Sequence, residues 1–358
     1  MKIPRALSIF SMLASCLMLA ASPAAAQVSL APPGVQTPPA SKPAAKPKPH
    51  AITRPAASSA TPKAAATPAA PVTPAPAPDD PNVDLVFGAY QRGQYKTAFD
   101  LATRRAQERN DPKAMTMLGE LYSNAMGVRR DDAKAVEWYQ RAADAGDREG
   151  MLALAMLRLA GRGGPVNRDE AVKLLASSAK LGEPKAAYNL ALLYLGGESL
   201  PQDVKRATEL LRVAADAGNP EAQYALATFY KEGNGVPKDL EKAARLMQAA
   251  SLADNVDAEV EYAIALYNGT GTPQNQPAAV ALLRKAARQN SPIAQNRLAH
   301  ALLSGHGTAT DKIEGLKWHL VAKAAGKGDP MLDEAFSELS PEDRAKAEAA
   351  ASKWLSTK

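Results

Sequence analysis

Residues 231–243, KEGNGVPKDLEKA, carry groups that could bind an ion. Asp239 could give a carboxylate oxygen to a metal ion, a ligand type that hard cations prefer. The glycines could leave backbone N–H groups free to hold a phosphate. The stretch does not end in the Lys-Ser or Lys-Thr of a phosphate-binding loop. The same residues could instead form the turn between two helices, so the surrounding elements decide the role of the loop.

Two other patterns could support catalysis. Ser177 and Lys180 have the Ser-x-x-Lys spacing of penicillin-recognising serine enzymes, but the Ser-Asp-Asn and Lys-Thr-Gly elements of those enzymes are absent from the sequence. The four histidines lack the spacing of a metal-binding set; they are His50, His300, His306 and His319. We therefore expect a protein that is not an enzyme and has no catalytic residue, no metal site and no cofactor.

The excess positive charge lies at the N-terminal end. The 358-residue chain has a net charge of +6. Seven of its 43 basic residues and none of its 37 acidic residues lie in residues 1–78, which leaves 36 basic residues for the rest. The remainder of the chain is therefore close to neutral. A nearly neutral folded part gives no reason to expect a nucleic-acid partner.

Residues 1–26 have the parts of a secretory signal peptide. A positively charged start precedes an apolar run from Ala6 to Ala21, and small residues follow. The pattern predicts cleavage after Ala26 and an exported protein, periplasmic or secreted, whose mature chain has no membrane span. A lipoprotein signal with a lipid on Cys16, in LASC, is the alternative, although the apolar run continues past this cysteine.

Residues 27–80 are predicted to form a disordered tether rich in proline, alanine and lysine. Residues 27–78 contain 14 prolines and 15 alanines but no aromatic or acidic residue. Such a composition cannot bury enough apolar surface to offset the loss of conformational entropy. The basic residues of the tether are sparse, and a weak contact with an anionic envelope polymer is the alternative to a purely solvated linker.

A 36-residue repeat surrounds the loop at 231–243. Steps of 36 residues from Asp239 reach six positions that are all Asp or Asn: Asp131, Asn167, Asp203, Asp239, Asn275 and Asp311. Small or apolar residues follow at helical spacing, which predicts a helix with one buried face. Asp and Asn accept hydrogen bonds from the free N–H groups of a first helical turn, so we interpret the six residues as N-caps. Fifteen residues after each of these six positions stands a Gly, Asp or Asn, which would end the helix in the left-handed conformation.

A second amphipathic helix precedes each loop. In AQYALATFY, the residues Ala222, Leu226 and Phe229 share one helical face. Each unit is therefore predicted to be a helix, a glycine-rich turn and a second helix, and the units should stack into a solenoid. The loop at 231–243 is then a turn, and its aspartate is a cap rather than a metal ligand.

Two segments resemble the Sel-one-like repeat (SLR) family, a relative of the tetratricopeptide repeat: AMTMLGELYSNAMGVRRDDAKAVEWYQRAADAGD and AYNLALLYLGGESLPQDVKRATELLRVAADAGN. The resemblance implies an all-α, right-handed αα-superhelical solenoid of about six repeats over 112–329. Residues 81–111 resemble a tetratricopeptide hairpin that would start the solenoid. Residues 330–358 are predicted to form a C-terminal capping helix, in which SPEDRAKAEAAASKWL begins with Ser340 as N-cap and Pro341 at the first helical position. In the fifth repeat, YAIALYNGTGTPQNQP indicates a first helix shifted toward the loop.

The resemblance also implies a use in protein–protein interaction. In tetratricopeptide-like solenoids the first helix of each pair lines the concave face. Its non-core positions here include five candidate binding residues: Met156, Tyr188, Leu192, Tyr224 and Thr228. They could form a groove for an extended peptide or an amphipathic helix, or they could pack between adjacent first helices.

The function expected from the sequence is a non-catalytic scaffold or adaptor in the bacterial envelope. It would regulate or assemble a partner protein or peptide that the sequence does not identify. The alternative is a protein that binds cell-wall peptidoglycan or weakly hydrolyses it. Assays on muropeptides would distinguish the two classes.

Overall fold

The computed structural model describes residues 84–357, which form 16 α-helices and no strand. The predicted signal peptide and tether lie outside this part of the chain. Two helices begin it, α1 (Leu85–Gln91) and α2 (Tyr95–Arg109). They form a hairpin whose turn contains Gly93 with a positive φ of 72°.

Six helix pairs follow, one for each 36-residue unit. The first helices are α3 (Pro112–Ser123), α5 (Arg148–Ala160), α7 (Pro184–Gly196), α9 (Pro220–Glu232), α11 (Val256–Asn268) and α13 (Pro292–Ser304). The second helices are α4 (Asp132–Asp144), α6 (Arg168–Lys180), α8 (Val204–Asp216), α10 (Leu240–Leu252), α12 (Gln276–Arg288) and α14 (Lys312–Ala324). Each helix from α1 to α14 packs against the next helix in the chain. This arrangement of stacked helix pairs is an α-solenoid.

Small residues allow the helices to approach closely. One position on each second helix is completely buried in all six pairs: Ala142, Ser178, Ala214, Ala250, Ala286 and Ala322. Leucines such as Leu118, Leu154 and Leu226 fill the space between the helices. Because consecutive pairs share apolar clusters, each repeat buries its apolar face only when a neighbour is present.

The glycine-rich turns pack tightly against the preceding repeat. A Cβ atom on Gly163 would lie 2.2 Å from the carbonyl oxygen of Asp132, and one on Gly307 would lie 2.5 Å from that of Gln276. Asp132 and Gln276 are the first residues of α4 and α12. The turn between the two helices of one repeat therefore rests on the start of the second helix of the repeat before it. Only glycine fits this contact, and the backbone there also has a positive φ.

The second helices end in the left-handed conformation. The residues that follow them have φ values between 60° and 86°: Gly146, Gly182, Gly218, Asp254, Asn290 and Gly326. Asp254 and Asn290 adopt this conformation although they carry side chains, as Asp and Asn do more readily than other residues. The first five of these turns lead directly into the first helix of the next repeat, and the turn at Gly326 leads to the C-terminal helices.

The C-terminal end differs from the prediction of one capping helix. Two helices are present after the repeats, α15 (Pro330–Ser337) and α16 (Pro341–Ser356). Each begins with a proline after a capping residue, Asp329 or Ser340, which accepts backbone hydrogen bonds. The residue before a proline is disfavoured in the α-conformation, which explains the break before Pro341. Trp354 of α16 packs against Trp318 of α14 with 5.0 Å between ring centroids.

The fifth repeat is also more regular than expected. Its first helix, α11, is not shifted toward the loop, because it begins after the N-cap Asn255 and ends before the C-cap Gly269. Asn255 accepts a hydrogen bond from Ala258, and Gly269 has a left-handed φ of 70°. Both ends lie one repeat after the equivalent positions Asn219 and Gly233. Capping residues thus determine the helix bounds here, rather than the apolar pattern between them.

None of the helices within residues 84–357 is both long enough and apolar enough to cross a membrane.

Candidate functional site

The six Asp and Asn residues of the repeat cap the second helices. The side chain of each accepts a hydrogen bond from the backbone N–H three residues later, with N···O distances of 2.8–3.1 Å. At Asp239 this N–H belongs to Lys242, whose ammonium group also lies 3.0 Å from the other carboxylate oxygen. The hydrogen bond from the backbone of Lys242 lowers the pKa of Asp239 most, and the hydrogen bond from the Lys242 side chain lowers it further. Asp239 thus stabilises a helix terminus by accepting hydrogen bonds.

A second set of capping residues was not predicted. The first helices of the repeats begin after Asp111, Asp147, Glu183, Asn219, Asn255 and Ser291, and each side chain accepts a backbone hydrogen bond. Asp147 also accepts a hydrogen bond of 2.6 Å from the hydroxyl of Thr116 on α3, the first helix of the preceding pair. The sequence contains a signal for these caps, because four of them directly precede a proline that opens the helix.

The residues considered for catalysis do not form a reactive group. Ser177 and Lys180 lie exposed on α6. The neighbouring Ser178 is completely buried and donates a hydrogen bond of 2.7 Å to the carbonyl of Arg148. No group of three or more His, Cys, Asp or Glu side chains within 84–357 is arranged to hold a metal ion.

Two histidines join the last repeat to the C-terminal helices. His300 Nε2 lies 2.8 Å from Asp329, and His319 Nε2 lies 2.8 Å from Asp333. His319 is completely buried. The third histidine of the described chain, His306, contacts the ring of Tyr267 at 6.4 Å between centroids. His50 lies outside the described residues.

The five candidate binding residues all lie on first helices and are all partly exposed: Met156, Tyr188, Leu192, Tyr224 and Thr228. Tyr188 packs against the apolar cluster formed by α7, α8 and α9. The other four belong to none of the core clusters within the described chain. Thr228 donates a hydrogen bond of 3.2 Å to the carbonyl of Tyr224, so its hydroxyl is directed to its own helix.

The two tyrosines occupy equivalent positions one repeat apart. Burial raises the pKa of Tyr188 to about 12, and the charge of Glu221 adds to the effect. Burial likewise raises the pKa of Tyr224 to about 12, with further contributions from the carboxylates of Asp257, Glu261 and Glu232. Neither hydroxyl has a hydrogen-bond partner among residues 84–357. Both tyrosines are therefore neutral at ordinary pH, and both can still donate and accept a hydrogen bond.

Carboxylates around these tyrosines were not predicted as part of the surface. Glu261 forms an ion pair of 2.7 Å with Lys231. In contrast, Glu221, Glu232 and Asp257 have no basic partner within the described part of the chain. The near-neutral charge of the whole folded part concealed this local excess of acid. The uneven placement of acidic residues on α9 and α11 is the signal that could have revealed it.

The repeat sequence and the fold agree with one known family. The Sel1 repeat model matches six consecutive segments: 112–147, 148–183, 184–219, 220–255, 256–291 and 292–327. The chain therefore belongs to the Sel1 repeat family. Proteins of this kind generally act as scaffolds for protein–protein interaction.

Solved structures with the same fold include a protective antigen present in uropathogenic Escherichia coli strains, which displays an SLR fold. Its TM-score is 0.64 at 25% identity, and the match covers 74% of this chain and 60% of that one. A Sel1 repeat protein from Oxalobacter formigenes matches with a TM-score of 0.61 at 25% identity, over 67% of this chain and 98% of that one. This chain thus spans 60% of the length of the Escherichia coli protein. No curated protein matches the chain.

Proposed function

We propose that this protein is a scaffold of the bacterial envelope that binds another protein through its first helices and catalyses no reaction. The observation that carries the proposal is the placement of Tyr188 and Tyr224. They occupy equivalent positions on α7 and α9, and their hydroxyls lack partners within residues 84–357. Large aromatic side chains with a free polar group are typical of residues that dominate binding energy at protein interfaces.

Export to the envelope is proposed from the N-terminal sequence. Residues 1–26 have the composition of a signal peptide, and the proline-rich segment that follows would separate the solenoid from any surface to which the chain is attached. Sequencing the N-terminus of the exported protein tests this proposal. A mature chain that begins at Gln27 supports it, and a lipid on Cys16 would place the protein on a membrane instead.

A photo-cross-linker at the proposed surface tests the binding function. A benzoylphenylalanine residue would replace Tyr224, and the matched control would carry it at Leu252, which is 80% exposed on the second helix α10. Irradiation in intact cells, followed by mass spectrometry, should yield a defined protein adduct from position 224 but not from position 252. Identical adducts at both positions would contradict a specific surface, and hydrolysis of muropeptides by the purified protein would contradict the absence of catalysis.

A further inference from the structure

The surface formed by Tyr188, Tyr224, Glu221, Glu232 and Asp257 combines aromatic rings with unneutralised acid, and we call it the tyrosine–acid surface. We propose that it binds an extended peptide segment that carries lysine or arginine side chains. This inference rests on the proposed function, because it names the class of partner that the same first helices would recognise. Three features of the surface support a cationic partner.

The first feature is the sign of the local charge. Asp257 and Glu261 lie one turn apart on α11, and the ion pair of Glu261 with Lys231 brings this acidic stretch against α9, the helix that carries Tyr224. The nearby base Lys231 is already paired with Glu261 at 2.7 Å. Glu232 and Asp257 are exposed and have no ion-pair partner among the described residues, so both remain available to pair with a cation. An acidic segment would be repelled from the same place.

The second feature is the tyrosine rings themselves. The face of an aromatic ring attracts ammonium and guanidinium groups. The molecule already uses this contact elsewhere, because the guanidinium of Arg141 lies 4.2 Å from the ring centroid of Trp138. Tyr188 and Tyr224 have no such cation among the described residues, so their exposed ring area can accept one from a partner.

The third feature is the spacing of the surface. Tyr188 and Tyr224 are one repeat apart, and so are Glu221 and Asp257, which lie in the first turns of α9 and α11. The same pairing of an aromatic ring with an acid is thus presented twice along the stack of first helices. The surface therefore suits an extended segment that carries two basic side chains a few residues apart. The free tyrosine hydroxyls can bond to the backbone of such a segment.

Fluorescence anisotropy with defined peptides tests the proposal on the full-length protein. The probes are fluorescein-labelled decapeptides of alanine and proline with two lysines or arginines, spaced two, three or four residues apart. Matched probes carry glutamate or glutamine at the same places. We expect the basic probes to bind at least roughly ten-fold more tightly than the acidic and neutral ones, and added salt should weaken the binding.

Site-directed variants test whether the basic probe binds to the tyrosine–acid surface. The triple variant Glu221→Gln, Glu232→Gln, Asp257→Asn should lose about ten-fold in affinity for the basic probe, since rim carboxylates contribute to cation recognition. Asp169→Asn is the matched control, because Asp169 is also an exposed carboxylate in a first helical turn, but lies on the second helix α6. It should bind like the wild type, and circular dichroism should give all variants the same helix content.

Several results would overturn the inference. They are the absence of binding by any basic probe, equal binding of the acidic or neutral probes, and full affinity in the triple variant. The affinity of a protein partner found by cross-linking distinguishes failure of this inference from failure of the proposed function. If that partner binds less tightly to the Tyr188→Ala, Tyr224→Ala variant but equally well to the triple variant, the surface binds proteins and only the cationic preference is wrong.

Discussion

Gly271 lies directly against the carbonyl group of Leu240, so closely that a Cβ atom on Gly271 would be 2.0 Å from the Leu240 oxygen. Leu240 opens the second helix of the fourth repeat, whereas Gly271 belongs to the turn of the fifth. The same contact recurs between other neighbouring repeats. This position of the turn thus requires glycine for two reasons, the close stacking of neighbouring repeats and the left-handed backbone conformation.

Gly271→Ala should therefore destabilise the protein much more than a glycine substitution in open space. Gly218 is the matched control, because it also has a positive φ but no atom within 4 Å of an added Cβ. We expect Gly218→Ala to cost about 1 kcal/mol, the usual penalty of a left-handed backbone. Gly271→Ala should cost about 1–3 kcal/mol more because of overpacking. Urea denaturation measures both, and equal costs would contradict the close stacking of the turn.

The caps of the second helices should contribute to stability through a hydrogen bond and not through a bound ion. Asp203 accepts a hydrogen bond of 2.8 Å from the backbone of Arg206. Asp203→Ala should therefore cost about 1 kcal/mol in unfolding free energy, and Asp203→Asn should be nearly neutral. Chemical denaturation with and without a chelator checks both. A loss of stability on chelation that disappears in Asp203→Ala would instead indicate a metal site.

The ion pair between Glu259 and Lys285 places a charge inside the fifth repeat. The Glu259 side chain is 0% exposed, and its Oε1 atom lies 2.7 Å from the Lys285 ammonium. Lys285→Met should cost about 3–5 kcal/mol, because it leaves a buried carboxylate without its charged partner. The double variant Glu259→Met, Lys285→Met should recover most of this loss. A double variant as unstable as Lys285→Met would show that burial of the unpaired charge is not the cause.

Acid should weaken the attachment of the C-terminal helices. Burial raises the pKa of Asp329, but hydrogen bonds from Asn296 and His300 outweigh it and bring the pKa down to about 2. An unfolded aspartate has a pKa of about 3.9, so the carboxylate contributes stability above pH 4, and this contribution is lost as the pH falls toward 2. We expect the loss to be about 1 kcal/mol once solvent screening is included.

Asp329→Asn isolates this effect, because asparagine can still cap α15 but does not titrate in this range. Denaturation from pH 6 to pH 2, followed by tryptophan fluorescence, should show a smaller decrease in stability for the variant than for the wild type. A decrease of equal size in both proteins would contradict the role of Asp329.

The repeat period made most of the fold predictable from sequence. Six positions with Asp or Asn located the second helices, and the small residues after them gave the buried face. The start of the last helix at Pro341, after the N-cap Ser340, was predicted. The separate short helix Pro330–Ser337 was missed, although its opening proline and the capping Asp329 were visible in the sequence. The charge of the tyrosine–acid surface could not be predicted from the net charge, because the acidic residues of α11 face α9 only when the two repeats stack, as the ion pair of Lys231 with Glu261 shows.

The affinity of the Tyr188→Ala, Tyr224→Ala variant for a cross-linked partner tests the central claim most directly. If the tyrosines form a binding surface, the binding free energy should weaken by about 2 kcal/mol or more. The melting temperature by circular dichroism should fall only slightly, because Tyr188 contacts the apolar cluster of α7, α8 and α9 from its edge. Core aromatic residues behave differently, since their truncation costs about 3–5 kcal/mol of stability. A strongly lowered melting temperature, or unchanged affinity in a stably folded variant, would contradict the claim that this protein binds its partner through Tyr188 and Tyr224.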